Sequence, residues 1–82
     1  MKVLTIIDGN DAFQVKAKVD SDKPFDKYPS VAVRIDVLTV DQSKILWTEY
    51  FTSPKPIAAT HFVNNFSKSD AKKVVKRYLM FK

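Results

Sequence analysis

The sequence predicts an α+β fold: a single two-layer domain, residues 1–82, in which an antiparallel four-stranded sheet is followed by two C-terminal helices laid on one of its faces, in the order ββββαα. Three observations carry that expectation. Apolar and polar residues alternate through residues 12–20 and 31–52, the period-2 signature of half-buried strands. Beyond Pro54 and Pro56 the period becomes helical, and two successive stretches each gather their apolar side chains on one arc. The chain has 82 residues, 45% of them hydrophobic and 12% aromatic, which suffices for one core, is too little for two domains, and excludes disorder as the overall state.

The first strand is expected at Lys2 to Ile7, a run rich in Val and Ile. Asp8-Gly9-Asn10-Asp11 then holds the only glycine, the residue that most readily takes positive φ in a hairpin turn. The second strand has the clearest pattern: Phe13, Val15, Ala17 and Val19 alternate with Gln14, Lys16, Lys18 and Asp20. Residues 21–30, with Pro24 and Pro29, follow neither period and are expected as a loop packing through Phe25 and Tyr28. Val31 to Val40 is β-branched and alternating, Asp41 to Lys44 turns the chain, and Ile45 to Thr52 returns as the fourth strand. The register of that last hairpin stays open. An odd-length turn groups Trp47 and Phe51 with the Val33 to Val37 stripe but puts Glu49 on the same apolar face, whereas a two-residue turn groups Glu49 with Asp36 and Arg34.

Prolines 54 and 56 end the sheet and favour a helix start. In the first helix Ala58, Ala59, Phe62, Val63 and Phe66 share one arc, with Thr60, His61, Asn64 and Asn65 on the other. Ser67, with Asp70 three residues later, has the capping-box spacing and opens a second helix that runs to Lys82. Its apolar arc is Ala71, Val74, Val75, Tyr78, Leu79 and Phe81; Lys72, Lys73, Lys76 and Arg77 lie opposite.

The charge is lopsided. Residues 1–66 carry equal numbers of acids and bases, so the net charge of +5 resides in the last segment, where Lys68, Lys72, Lys73, Lys76, Arg77 and Lys82 face Asp70 alone. The pairs Lys72/Lys76 and Lys73/Arg77 repel at i,i+4, and Lys68, Lys72 and Lys73 stand at the helix end that the macrodipole disfavours for cations. Such a face points to an anionic partner. The first expectation is a non-enzymatic nucleic-acid-binding protein that uses this helix as a phosphate clamp, with His61, Asn64 and Asn65 as neighbouring hydrogen-bonding groups. RNA is slightly favoured over DNA because no recognition-helix motif is present. The alternative is an inhibitor or adaptor that meets an acidic protein surface through the basic helix, or another protein through the sheet face. In size and in its basic tail the chain resembles small viral or mobile-element accessory proteins. Apolar side chains on both faces of the third and fourth strands (Leu38, Val40, Leu46 and Tyr50 against the Val33 stripe) suggest a homodimer or another stable complex.

Other chemistries find little support. There is no cysteine, hence no disulfide framework or thiolate metal site. Asp20, Asp22 and Asp26 lack the glycine and ligand spacing of a calcium loop, and a single glycine leaves no phosphate cradle or dinucleotide fingerprint. No cofactor or metal is expected. His61 has no second acid or base at a supporting spacing, so ribonuclease chemistry is a remote alternative. Trp47, Tyr50 and Phe51 are expected as core aromatics more than as a base-stacking platform. No apolar run approaches the roughly 20 residues of a membrane span, and Met1 to Ile7 runs into a charged turn and not a cleavage site, which suggests a cytoplasmic chain without a membrane partner.

Overall fold

The computed structural model describes residues 1–20, 31–53 and 56–82; the expected loop at 21–30 and the Pro54-Lys55 step lie outside the described residues. The elements are β1 (Lys2–Asp8), β2 (Asp11–Asp20), β3 (Val31–Leu38), β4 (Ile45–Ser53), α1 (Pro56–Asn64) and α2 (Lys68–Phe81). The sheet is an antiparallel meander of order β1-β2-β3-β4, followed by the two helices, as the alternation predicts.

The β1–β2 hairpin closes on Asp8 opposite Asp11, with Gly9 at φ +61° in the first of two loop positions, the place where a type II′ turn requires positive φ. The β3–β4 connection is more elaborate and settles the open register. Leu38 pairs with Ile45 across residues 39–44, but Val37 pairs with Trp47, so Leu46 is an extra residue, a bulge. The even loop plus the bulge gives the odd parity: Trp47, Glu49 and Phe51 stand opposite Val37, Ile35 and Val33.

Asp41 organises the loop. Its Oδ1 accepts from Thr39 Oγ1 (2.6 Å), Ser43 N (3.0 Å) and Ser43 Oγ (2.7 Å), while Gln42 takes φ 61° and donates its N–H to the Thr39 carbonyl (2.8 Å). These bonds end β3 at Leu38, two residues earlier than the β-branched run suggests, because Thr39 is drawn into the loop.

Both helices cover the Val33–Ile35–Val37 face, α1 over β2, β3 and β4 and α2 over β1, β2 and β3. The core between the layers joins Ile6, Phe13, Val15, Ala17, Val33, Ile35 and Val37 to Ala59, Val63 and Phe66 of the α1 segment and Ala71, Val74 and Val75 of α2. Tyr78 adds an edge-on contact to Phe13, with ring centroids 5.9 Å apart. Three residues of the expected apolar arcs are exposed instead. Ala58 faces away from the sheet, Phe62 leans sideways against Phe51 (5.6 Å), and Phe81 stacks on Trp47 at 6.4 Å beyond the end of the core. A helix laid on a flat layer buries a stripe narrower than its full apolar arc.

On the opposite sheet face Lys16, Asp36 and Thr48 form one cross-strand row, and Lys18, Arg34 and Tyr50 the next. Asp36, only 4% exposed, accepts from Arg34 Nε (3.0 Å to Oδ1) and from Thr48 Oγ1 (2.7 Å), and Leu38 is buried beside this polar row. That face is organised by charge pairing more than by apolar packing.

The loop carries a pH signature. The hydroxyl of Thr39 first, then the Ser43 amide and hydroxyl, hold the Asp41 carboxyl at about 2 against an ordinary 3.8. Because the folded value lies below the unfolded one, the stabilisation is complete above about pH 4 and disappears as pH falls through about 2. In Asp41→Asn the part of the acid unfolding profile lying between those values should flatten, as measured by urea melts at half-unit pH steps.

Candidate nucleic-acid interface

The basic helix begins where the sequence places it. Ser67, with extended backbone (φ −105°, ψ 171°), accepts from the Asp70 amide through Oγ (3.3 Å), and Asp70 Oδ2 accepts from the Ser67 amide (3.0 Å), a complete capping box. The Ser67 amide, then the Ser67 hydroxyl (3.0 Å to the same Oδ2), with a smaller contribution from the Lys73 charge, hold the Asp70 carboxyl below its ordinary value. With Ala71, Val74 and Val75 buried, the lysines are forced outward, and Lys68, Lys72, Lys73, Lys76 and Lys82 are all exposed. Among the described residues none of them is in an ion pair.

The lysines do not form one uniform face. Lys68, Lys72 and Lys76 follow an i, i+4, i+8 stripe along the β1 side, about 6 Å of helix rise between neighbours. Lys68 and Lys72, with Thr5, Ile6 and Ile7, line a cleft of about 200 Å³. Lys72 and Lys76, with Ile6, Ile7, Asp8 and Val75, line another of about 240 Å³. Sharing Ile6, Ile7 and Lys72, the two make one groove along the seam between β1 and α2, with lysines on one wall and the edge strand on the other; the Thr5 hydroxyl is turned to the opposite sheet face, where it accepts from Gln14 Nε2 at 2.9 Å. Asp8 closes it at the Lys76 end.

Arg77 departs from the expected clamp. Its Nε and Nη2 each donate 2.7 Å hydrogen bonds to Glu49, one to either carboxylate oxygen, and Trp47 Nε1 donates to the same carboxylate at 2.9 Å. The Glu49 side chain is only 14% exposed, on the face that the helices cover. Arg77 therefore neutralises an acid that the register carries under α2. Its hydrogen bonds, against the opposing effect of burial and with help from Trp47, hold the Glu49 carboxyl below its ordinary 4.5, and Glu49 raises Arg77 in return. Lys73 lies on the same flank as Arg77, above a cleft of about 150 Å³ floored by Ile35, Phe51, Phe62 and Phe66. Lys82 is the C-cap residue, its amide bonded to the Tyr78 carbonyl at 2.9 Å.

His61, Asn64 and Asn65 stand apart from the lysine groove. Asn65 Nδ2 donates to the His61 carbonyl (2.9 Å) and so closes the end of α1, while the Asn64 carbonyl accepts from Lys2 Nζ (3.1 Å). The His61 side chain is exposed, and among the described residues no hydrogen bond or ion pair links these three side chains to the lysine stripe. Sequence reasoning missed the second wall, Thr5, Ile7 and Asp8, because nothing local marks residues about sixty positions away as neighbours. Glu49 on the apolar face was one of two open registers, and nothing in the sequence tied it to Arg77.

Among the described residues no cluster of His, Asp or Glu has the geometry to hold a metal ion, and no helix is long and apolar enough to cross a membrane. Comparison with protein-family models, with curated proteins and with solved structures gives no match.

The assignment of Arg77 separates two kinds of cation. Arg77→Gln should destabilise the fold by about 1–2 kcal/mol at pH 7, a figure reduced for the half-exposed guanidinium, whereas Lys72→Gln should be near neutral. Because the folded Glu49 carboxyl lies below its ordinary value, its contribution is complete above the ordinary glutamate range and is lost as pH falls through the lowered value, so the gap between wild type and Arg77→Gln should narrow steadily in urea melts as pH is lowered from that range.

Proposed function

We propose that the chain is a non-enzymatic binding protein for single-stranded nucleic acid, RNA ahead of DNA, which it holds by its phosphates in the groove between β1 and α2. One observation carries this reading: Lys68, Lys72 and Lys76 border a single groove, exposed and without an acidic partner among the described residues, in a fold where the other acid under α2 already has its own arginine. Like charges spaced one helical turn apart repel, and a polyanion running along the stripe relieves that repulsion. Lysine suits the task because an ammonium is a point charge that grips phosphate without reading a base. Asp8 favours RNA, since a carboxylate accepts a hydrogen bond from a ribose 2′-hydroxyl that deoxyribose lacks.

The test is fluorescence anisotropy with labelled single-stranded RNA, single-stranded DNA and duplex across a salt series. If the three lysines each neutralise one phosphate, log K against log salt should have a slope of about −2.1 for a single strand. The triple substitution Lys68→Gln, Lys72→Gln, Lys76→Gln should remove most of that slope, while Lys73→Gln and Lys82→Gln change it little. Wild-type protein that binds no probe at low salt, or a triple variant that binds as well as wild type, overturns the reading.

A further inference from the structure

Lysines that hold phosphates leave the bases of a bound strand unread, so the other wall of the groove decides what those bases meet. That wall is β1, an outer strand of the sheet, and the register fixes which of its groups point outward. Asp8 and Asp11 flank a two-residue turn, and in such a hairpin the flanking pair exchanges both of its main-chain hydrogen bonds. Alternating from there, Ile6, Leu4 and Lys2 bond to β2, while the amides and carbonyls of Ile7, Thr5 and Val3 point away from it. Among the described residues these outward groups make no hydrogen bond.

Thr5 and Ile7 line the lysine groove, although their side chains belong to the opposite sheet face with those of Gln14 and Ala12. What they present to the groove is therefore main chain, a donor and an acceptor side by side at each residue. The two walls also keep step. Outward residues recur at every second position, about 6.6 Å along a strand, and Lys68, Lys72 and Lys76 at every fourth, about 6 Å along the helix. Thr5 lines only the cleft of Lys68 and Lys72, and Asp8 only that of Lys72 and Lys76, so the two series run in the same direction.

We propose that the outward main chain of Thr5 and Ile7 binds the pairing edges of two successive unpaired bases, in a strand whose phosphates lie along Lys68, Lys72 and Lys76. This rests on the nucleic-acid reading and adds the bases to it. Three phosphates enclose two nucleosides, which matches three lysines and two outward residues. Every base carries a donor and an acceptor next to each other on its pairing edge, so the contact accepts any sequence and rejects a duplex, whose edges are already paired. An acidic peptide in the same groove would need a carboxylate at every second residue, whereas each unit of a nucleic acid meets both walls.

The probes are a fluorescent oligouridine and the same oligomer made of N3-methyluridine, whose methyl group removes the edge donor without altering the charge. Wild-type protein should bind the methylated strand about tenfold more weakly, with an unchanged salt slope. Thr5→Pro deletes an outward amide that no ladder bond uses and should weaken oligouridine binding about threefold to tenfold, while Thr5→Val, which keeps that amide, should bind as wild type does. Should the proline variant fail to fold, amide spectra of the wild type decide: oligouridine should move the Thr5 and Ile7 amides more than those of Leu4 and Ile6. Equal affinity for the two oligomers, a folded Thr5→Pro variant that binds undiminished, or Thr5 and Ile7 amides that stay in place at saturation overturns this proposal and leaves the phosphate reading standing. Oligoglutamate that moves these amides where oligouridine does not assigns the edge to a peptide strand and overturns it as well. Absence of any oligouridine binding at low salt overturns both.

Discussion

A carboxylate under a helix is the constraint on which much of this structure turns. Pairing β4 so that Trp47 and Phe51 join the Val33–Ile35–Val37 face necessarily brings Glu49 with them, because alternate residues of a strand share a side. An ionised acid left there alone would be costly, and it takes a guanidinium with two parallel donors, plus the Trp47 indole, to satisfy it. Arg77 reaches it from α2 where that helix crosses the sheet. That crossing sets Tyr78 against both Phe13 and Trp47, and Phe81 over Trp47, and it turns Lys68, Lys72 and Lys76 toward β1.

The partition of charge follows from that placement. Of the cations that make the C-terminal segment basic, Arg77 is committed to the fold and the lysines remain available to solvent or to a ligand. Lys2, at the other end of the chain, is committed as well, bonded to the last carbonyl of α1. On the polar sheet face Asp36 is satisfied by Arg34 and Thr48, from its own and the adjacent strand, while Lys16 and Lys18 stand in the same rows without an ion pair among the described residues. The densest run of cations without an ion pair among the described residues is on α2, and three of them, Lys68, Lys72 and Lys76, border β1.

The strands, the helices, the glycine turn and the Ser67–Asp70 capping box were legible because each is written in neighbouring residues: alternation needs only i and i+2, a helical arc i and i+4, a cap only residues three apart. The basic character of α2 was legible for the same reason. The register of β4 was not, since one bulged residue at Leu46 reverses the parity that a loop length implies, and nothing in Asp41 to Lys44 announces it. Nor was the division of α2 into committed Arg77 and uncommitted lysines, the use of Asn65 to close α1, or the pairing of the lysine stripe with Thr5, Ile7 and Asp8. Sequence alone determined which faces are apolar and where the charge lies along the chain, because those are properties of local order. Only the tertiary structure decided which charges cancel and which strand borders the lysines, because both depend on distances between residues far apart in the chain.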